Sequence, residues 1–260
     1  MLHAPSLWRQ RASLGRRAVL LAQNCRGHEI GLRLGAGRRR ETGLCAVKLN
    51  SFMDISGCSY SNAEASHTHA YLWNPAFQVL KSYQPSAKPW RVFDLGCGSG
   101  AFANALAGQG YTVTGIDPSP SGIDNARKAY PQVKFDVGST EEDLAGRFGK
   151  FHAVTSLEVV EHVYAPRQFV KRIYELLEPG GITVISTPYN GYLKNLIIAL
   201  LGKSDWHYTA LWDNGHIKFW SIRTLGQLLR ETGFKDITFL RVGRIPPLAK
   251  SMIAVARRPK

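Results

Sequence analysis

The chain has 260 residues and a mass of 28.8 kDa; 44% of its residues are hydrophobic and 20% are charged. This length fits one large domain with appendages, or two small domains. No stretch approaches the roughly 20 uninterrupted apolar residues of a membrane-spanning helix, which excludes an integral membrane protein of that kind. Four cysteines are too few for a disulfide scaffold and fit a reducing compartment.

The formal net charge of +14 first suggests a nucleic-acid partner. The charge is unevenly distributed, however. Residues 1–52 hold ten basic and two acidic residues, residues 241–260 hold six basic and no acidic ones, and residues 53–240 hold 17 of each sign. The body is neutral and the ends are basic, so the charge makes no strong case for nucleic acid. The C-terminal tail could instead favour an anionic membrane surface.

Residues 1–52 form an Arg- and Gly-rich arm whose apolar residues keep neither a helical nor a strand period. We predict that this arm is disordered. It could bind phosphates, it could be an acid-poor leader that targets an organelle, or translation could begin at Met53. Unless the arm is a genuine leader, the expected location is cytoplasmic, with possible contact at the inner face of a membrane.

Strand and helix signals alternate from about residue 90, which predicts a parallel sheet covered by helices on both faces. Residues 53–87 are expected to be a helical lead-in or lid that includes His67 and His69, and residues 88–260 one domain with an insertion at 189–220. The sequence EPGG at Glu178–Gly181 predicts a turn. The predicted strands are Arg91–Leu95, Tyr111–Asp117, Val133–Val137, His152–Leu157, Ile182–Thr187, Phe234–Val242 and Ser251–Ala256. The predicted helices are Gly100–Ala107, Ser121–Tyr130, Glu141–Phe148, Pro166–Leu177 and Ser221–Thr232.

The segment from Val92 to Ala101, VFDLGCGSGA, predicts a buried strand, a glycine-rich turn and the start of a helix. Glycine permits positive φ and close approach of a ligand, and a helix start offers free N–H groups. Asp117 ends the next strand 21 residues after Gly96, where a carboxylate can accept both hydroxyls of a ribose. A tight turn beside a solvated aspartate is the alternative, but the coincidence of the two features favours a nucleoside site.

Gly96, Gly98 and Ala101 also satisfy the dinucleotide fingerprint G-x-G-x-x-A. Three features nevertheless favour S-adenosylmethionine over NAD. Asp94 stands where a dehydrogenase strand usually has an apolar residue, no second nucleotide-binding half follows, and the closing strands come after a helix rather than after a separate substrate domain.

Three motifs carry a family resemblance. Asp94–Gly100 (DLGCGSG) resembles motif I of the class I S-adenosylmethionine-dependent methyltransferases, Gly115–Ser119 (GIDPS) resembles their ribose-binding strand end, and Leu176–Gly181 (LLEPGG) resembles their motif before strand five. The resemblance covers roughly residues 88–258. It implies a Rossmann-like α/β fold whose seven-stranded sheet has the order 3-2-1-4-5-7-6, with strand 7 antiparallel and helices on both faces.

The same resemblance implies an enzyme that transfers the methyl group of S-adenosylmethionine. Members often carry an acidic residue that contacts adenine after strand three, whereas this chain has Ser139. The cofactor-binding residues that the resemblance implies are Asp94, Gly96, Cys97, Gly98, Gly100, Asp117, Pro118, Ser139 and Leu157.

The segment Leu157–His162, LEVVEH, follows strand four at the expected mouth of the active site. Glu158, Glu161 and His162 could bind Mg²⁺ or a similar cation, or could supply a general base with its orienting acid. Alternatively, they merely cap the next helix. The element resembles that of the ubiquinone-biosynthesis O-methyltransferases, which implies a cation at these three residues. Small-RNA 2′-O-methyltransferases carry a similar element with a further histidine, for which His207 and His216 are the candidates.

An apolar helix is expected at 192–202, with Leu193, Leu196, Ile197, Leu200 and Leu201 on one face. The helix could pack on its own domain, cover the active site, or make a peripheral contact with a membrane through 192–201. Aromatic residues and histidines follow at 205–220 and suit a planar or apolar acceptor.

The sequence therefore predicts transfer of a methyl group to the hydroxyl of a small aromatic or prenylated quinone-like molecule, with His162 or His216 taking up the proton. Three other hypotheses stay open. These are an RNA or protein acceptor, a module that binds the nucleoside without chemistry, and an NAD-linked oxidoreductase.

Overall fold

The computed structural model describes residues 68–84, 90–212 and 215–260. The predicted basic arm at 1–52 and the lead-in before residue 68, with His67, lie outside these residues. The strands are β1 (Arg91–Leu95), β2 (Thr112–Asp117), β3 (Lys134–Val137), β4 (Phe151–Leu157), β5 (Leu177–Pro188), β6 (Lys235–Val242) and β7 (Ser251–Arg257). The helices are α1 (His69–Tyr83), α2 (Ala101–Gly108), α3 (Pro120–Ala129), α4 (Leu144–Phe148), α5 (Pro166–Leu176), α6 (Tyr192–Leu200), α7 (Ser204–Tyr208) and α8 (Ile222–Glu231).

The seven strands form one sheet in the order β3-β2-β1-β4-β5-β7-β6, and β7 is antiparallel to both of its neighbours. This confirms the predicted fold class and strand order. A doubly wound dinucleotide fold continues with parallel strands in the order 3-2-1-4-5-6, so the antiparallel β7 argues against that fold. Among the described residues, none of the helices combines the length and the apolar character needed to cross a bilayer.

The core lies on both faces of the sheet. Side chains of α1, α2 and α3 cover one face, and those of α4, α5 and α8 cover the other. β1 lies in the middle of the sheet, between β2 and β4, and helices cover both of its faces. Val92 and Phe93, whose side chains point to opposite faces, are therefore both fully buried. Because five parallel strands share one direction, their carboxyl ends meet at one edge of the sheet, where a ligand site is expected.

Two predicted elements were wrong. Glu178–Gly181 was expected to be a turn, but β5 already begins at Leu177, and the segment pairs with the end of the chain through bonds from Gly180 N to Arg258 O and from Arg258 N to Gly181 O. Gly180 has φ +84°, and the pairing with β4 shifts register here, so proline and glycine produce an irregular strand start. α4 begins at Leu144 rather than Glu141, because the Asp143 side chain caps Gly146 N.

The apolar face expected on the 192–202 helix is present and largely uncovered. No residue of α6 is buried, and Leu193, Leu200 and Leu201 are 46, 76 and 60% exposed. Residues of α6 do not contribute to the cavity described below. Packing on the domain half-buries Ile197 but leaves these three leucines uncovered, and the helix does not line the cavity.

The loop between β1 and α2 depends on left-handed glycines. Gly100 has φ +83°, and a Cβ there would lie 2.6 Å from Cζ of Phe135 and 2.8 Å from Cβ of Ala126. Any other residue would have to adopt an unfavourable backbone conformation and would also displace a buried ring.

We predict that Gly100→Ala lowers the free energy of unfolding by at least about 2 kcal/mol, from the left-handed conformation and the overlap together. Chemical denaturation measures this change. Gly108→Ala is the matched control, since a Cβ at this helical position meets nothing within 4 Å. Equal stability of Gly100→Ala and the wild type would contradict the strained geometry.

Candidate functional site

A cavity of about 990 Å³ opens at the carboxyl ends of β1, β2, β4 and β5. Its size matches that of pockets for small molecules and cofactors. Residues from the loops after β1, β2, β3 and β4 form much of its lining, and Thr68, Tyr71, Leu72 and Trp73 from the start of the lead-in helix form another part. Leu72 is buried in the core, so the lead-in helix is a fixed wall of this cavity.

One carbonyl group holds the glycine loop in place. The backbone oxygen of Ile116 accepts hydrogen bonds from Gly96 N at 2.8 Å and from Cys97 N at 2.9 Å. Gly96 has φ +79°, and a Cβ there would lie 2.6 Å from a methyl group of Val159. The loop is therefore drawn against the end of β2 and leaves only enough space for glycine.

Asp117 lies directly after Ile116 and faces the same loop. Its Oδ2 accepts from Gly98 N and its Oδ1 accepts from Ser119 N, both at 2.9 Å, and the side chain is buried. An ionised carboxylate has about four lone-pair positions, so these bonds orient the group and are compatible with accepting from ribose hydroxyls.

Asp94 is buried at the end of β1, and its Oδ1 accepts a 2.8 Å hydrogen bond from the hydroxyl of Thr155 on β4. Burial raises the pKa of Asp94 to about 7, and the Thr155 hydroxyl opposes this shift. Near neutral pH this group can therefore exist in both protonation states. A carboxyl group at this end of β1, beside the loop, would favour a ligand's positive charge when it is ionised.

The other predicted cofactor residues also reach the cavity, with one exception. Cys97, Pro118, Ser139 and Leu157 line it, whereas Gly100 supports the loop from behind. Burial raises the pKa of the Cys97 thiol well above its usual value, which argues against a role as a nucleophile.

Glu158 has a strained backbone with φ +55°. Its N–H donates to the Ser186 hydroxyl at 2.9 Å, and that hydroxyl donates to Glu158 Oε1 at 2.8 Å. The Ser251 hydroxyl lies 3.4 Å from Oε2. Burial raises the pKa of Glu158, although the two serines and the positive charge of Lys194 counteract it. Such strain at a cavity wall is typical of functional positions.

Glu161 is 1% exposed, and neither carboxylate oxygen makes a well-formed hydrogen bond with a described residue. Burial and the negative charge of Glu158 raise its pKa well above the usual value, with a small opposing effect from the nearby Thr187 hydroxyl. A buried carboxylate without partners is costly unless something compensates its charge. The nearest basic atom is Nε2 of His216, 3.9 Å from Oε1 of Glu161, so this carboxyl group either carries a proton or needs a cation beside it.

Two histidines complete the group. The candidate ligand atoms of Glu161, His162 and His216 all lie within 4.8 Å of one another. The His162 ring is oriented by a 3.2 Å contact between its Nδ1 and the backbone oxygen of Gly215. Burial, and the charges of His162 and His207, lower the pKa of His216 to about 4. His216 is thus neutral at pH 7, as a metal ligand or proton acceptor must be.

The structure places the predicted metal-binding residues in two different surroundings. It brings His216 into the group with Glu161 and His162, while Glu158 lies outside these three and is bound by serine hydroxyls. His207, the other candidate histidine, is on α7 and is not in the group. Sequence reasoning missed Ser186 and Ser251, since a serine inside a strand gives no local signal of the carboxylate it contacts.

Comparisons with known proteins agree with the fold. The family described as a methyltransferase domain matches residues 61–238. The ubiquinone biosynthesis O-methyltransferases of Thiobacillus denitrificans and Coxiella burnetii are 31% and 30% identical to this chain, over 63% and 72% of its length and 77% and 84% of theirs. The S-adenosylmethionine-dependent methyltransferase of Mesorhizobium loti superposes with a TM-score of 0.54 at 19% identity, covering 70% of this chain and 97% of that one.

The chain belongs to the methyltransferase domain family and is a class I S-adenosylmethionine-dependent methyltransferase. Within this class it is a distant relative of the ubiquinone biosynthesis O-methyltransferases. The family implies S-adenosylmethionine as the methyl donor, which sets aside the NAD-linked and binding-only hypotheses.

We predict that Asp117→Asn raises the dissociation constant of S-adenosylhomocysteine about tenfold, because the amide loses the charge and one acceptor oxygen. Isothermal titration calorimetry measures the constant, and circular dichroism checks the fold. Asp124→Asn, at an exposed position of α3, is the control. Unchanged affinity in Asp117→Asn would remove Asp117 from the ribose contact.

Proposed function

We propose that the protein methylates a hydroxyl oxygen of a small aromatic or prenylated quinone-like molecule, with the help of a divalent cation. The observation that carries the proposal is the buried carboxylate of Glu161, whose oxygens have no hydrogen-bond partner among the described residues and which lies next to two histidines at the cavity wall, 3.9 Å from Nε2 of His216. This donor set combines one oxygen and two nitrogens, which suits a divalent cation. The relatives' printed activity, O-methylation in ubiquinone biosynthesis, supports the same reaction class.

The donor supplies a methyl group that its sulfonium already makes electrophilic, so the protein mainly has to align the acceptor and exclude water. The acceptor oxygen forms the new bond to the methyl carbon while the carbon–sulfur bond breaks, and the hydroxyl proton must leave. In the protein without a cation, we assign His216 to take this proton, because it is neutral at pH 7 and lines the cavity; when a cation occupies its ligand nitrogen, the proton leaves to water in the cavity.

In the cation-bound protein, we assign Glu161, His162 and His216 as the ligands, with Glu158 close by as a further carboxylate. When bound, the cation would act as a Lewis acid that makes the acceptor hydroxyl more acidic. Ser186 and Ser251 orient Glu158 through its two oxygens, and the Gly215 carbonyl orients His162. Such outer partners hold ligand side chains in place before the ion arrives.

The environment of this end of the cavity favours an aromatic acceptor. Trp212 makes edge-on contacts with His162 and His216, with ring centroids 6.1 and 5.4 Å apart. Val163, Tyr164 and Ile217 add apolar surface to the lining. A planar ring could pack against these groups while its hydroxyl points to Glu161. An RNA acceptor would instead require a broad basic surface for its phosphates, and the neutral body of the chain does not favour one.

Methyl transfer from labelled S-adenosylmethionine to 4-methylcatechol should require Mg²⁺. The rate of transfer should fall at least about 100-fold in Glu161→Gln, because a neutral amide cannot balance the charge of a cation. Scintillation counting of the extracted product measures the rate. Glu178→Gln, at the opposite edge of the sheet, should keep wild-type activity. Equal rates with Mg²⁺ and with a chelator would exclude the cation, and label incorporation only into RNA or protein would exclude the small-molecule acceptor.

We further propose that the exposed face of α6 contacts an anionic bilayer and so brings an apolar acceptor within reach. Leu193, Leu200 and Leu201 are uncovered, and Trp206 of the next helix is 80% exposed. Lys203 and the exposed Arg244 of the β6–β7 connection, which contacts α6, could face lipid phosphates. Two copies joined through this face would bring these positive charges together, which disfavours self-association.

Sedimentation with vesicles containing phosphatidylglycerol should recover the wild-type protein, and Leu200→Ser should lower the partition coefficient about tenfold through the lost apolar burial. Val137→Ser, an exposed apolar position at the β3 edge, is the matched control. Equal partitioning of all three proteins, or of phosphatidylcholine and phosphatidylglycerol vesicles, would contradict the proposal. Loss of sedimentation with a gain of dimer would assign the face to self-association.

A further inference from the structure

The loop after β3 forms one end of the cavity, through residues 138–141. In the sheet order β3-β2-β1-β4 this loop adjoins the end of β2, and Gly138 N donates to the backbone oxygen of Asp117 at 3.2 Å. Glu161 and His162 follow β4, two strands from β2 on its other side. The loop and the proposed acceptor end at Glu161 therefore lie on opposite sides of Asp117.

The connectivity of the methyl donor decides which part of it reaches this loop. In S-adenosylmethionine the sulfonium is attached to the 5′ carbon and the purine to the 1′ carbon, on opposite sides of the ribose ring. With the ribose at Asp117 and the methyl group directed towards Glu161, the purine points to the loop after β3. One strand spacing, about 4.8 Å, is close to the distance between a ribose ring and its base. This orientation rests on the ribose contact predicted for Asp117 and on the acceptor end of the proposed function.

Most N–H groups of the loop already donate within the protein. Ser139 N donates to Glu142 Oε1 at 3.1 Å, Glu141 N donates to the Ser139 hydroxyl oxygen at 3.3 Å, and Glu142 N donates to Ser139 O at 3.3 Å. The Gly138 N–H is used by the end of β2, as described above. Of this loop, the groups left to face a purine edge are the Thr140 N–H and the hydroxyls of Ser139 and Thr140.

Two carboxylates beside the loop are paired with arginines. The oxygens of Asp136 lie 3.0 Å from Arg127 and 2.8 Å from Arg147. Glu142 Oε2 lies 2.7 Å from Arg147, while its Oε1 accepts the N–H bond described above. Neither of these carboxylates contributes to the cavity lining, and Glu141, which does, is exposed. The half-buried hydroxyls, and not a carboxylate, are therefore the polar side-chain groups closest to the expected base.

We propose that the purine end of the cofactor site binds a 6-oxopurine as well as a 6-aminopurine, because the Ser139 hydroxyl contacts this position. Adenine carries an amino donor there, whereas hypoxanthine, like guanine, carries a carbonyl acceptor. A hydroxyl can donate or accept by rotating its proton, whereas a carboxylate can only accept. The Glu141 N–H occupies one lone pair of the Ser139 oxygen, and the proton and the other lone pair can serve either base.

Isothermal titration calorimetry with S-adenosylhomocysteine and S-inosylhomocysteine, whose purines differ at the 6 position, tests this inference. The two dissociation constants of the wild type should differ by less than tenfold. Ser139→Asp should shift their ratio at least about tenfold in favour of S-adenosylhomocysteine, because a carboxylate accepts from the amino group and repels the carbonyl oxygen. Ser139→Ala should weaken both ligands alike. Val137→Asp, which adds a charge at an exposed position outside the lining, should keep the wild-type ratio.

A wild-type preference of tenfold or more for S-adenosylhomocysteine overturns the inference, and its loss in Glu141→Gln would assign the base contact to Glu141. An unchanged ratio in Ser139→Asp, with a native circular dichroism spectrum, also overturns it, since the purine would then lie elsewhere. These constants are measured without acceptor or Mg²⁺. Failure to methylate any hydroxyl would therefore contradict the proposed function and leave the binding ratio unaffected.

Discussion

One backbone oxygen sets the geometry on which the site depends. The Ile116 carbonyl accepts from two successive N–H groups of the glycine loop, and this ties the loop after β1 to the end of β2. Because Asp117 is the next residue, its carboxylate necessarily faces Gly98. The position of the loop and the position of the acidic residue are therefore not independent. They are fixed relative to each other by the register of two neighbouring parallel strands, and a one-residue slip of β2 would separate them.

The acceptor end is organised differently. The β5–β7 pairing aligns Ser186 and Ser251 with the Glu158 carboxylate, while the segment before α8 returns over the sheet and delivers His216. That return is held by backbone bonds from Ile217 and Lys218 to the oxygen of Glu161. The same residue thus presents its side chain to the cavity and its carbonyl to the connecting segment. The hydrogen bonds to the Glu161 carbonyl therefore both hold this segment over the cavity and place His216.

Local sequence patterns were sufficient for most of the strands and for the loop and Asp117 that face each other, because strands, glycine turns and a strand-end acid are encoded within short segments. The order of the strands came from the family resemblance. The start of β5 was predicted wrongly, since its proline and glycines have the composition of a turn, whereas pairing with Arg258, far along the chain, keeps the segment in the sheet. Ser186 and Ser251, the partners of Glu158, could not be predicted either, because they also lie far from it along the chain. Choosing His216 over His207 likewise depended on tertiary contacts, since both histidines stand in equally aromatic surroundings.

Glu158 has a wider consequence through its left-handed backbone. A glutamate at φ +55° is less stable there than glycine by roughly 1–2 kcal/mol. Selection for stability alone would replace it, as a chain without chemistry to perform would be free to do. Under the proposed function, the carboxylate is kept at a cost in backbone free energy, which its hydrogen bonds with Ser186 and Ser251 oppose. Sequences descended from this one that have abandoned catalysis should reveal themselves by a glycine there.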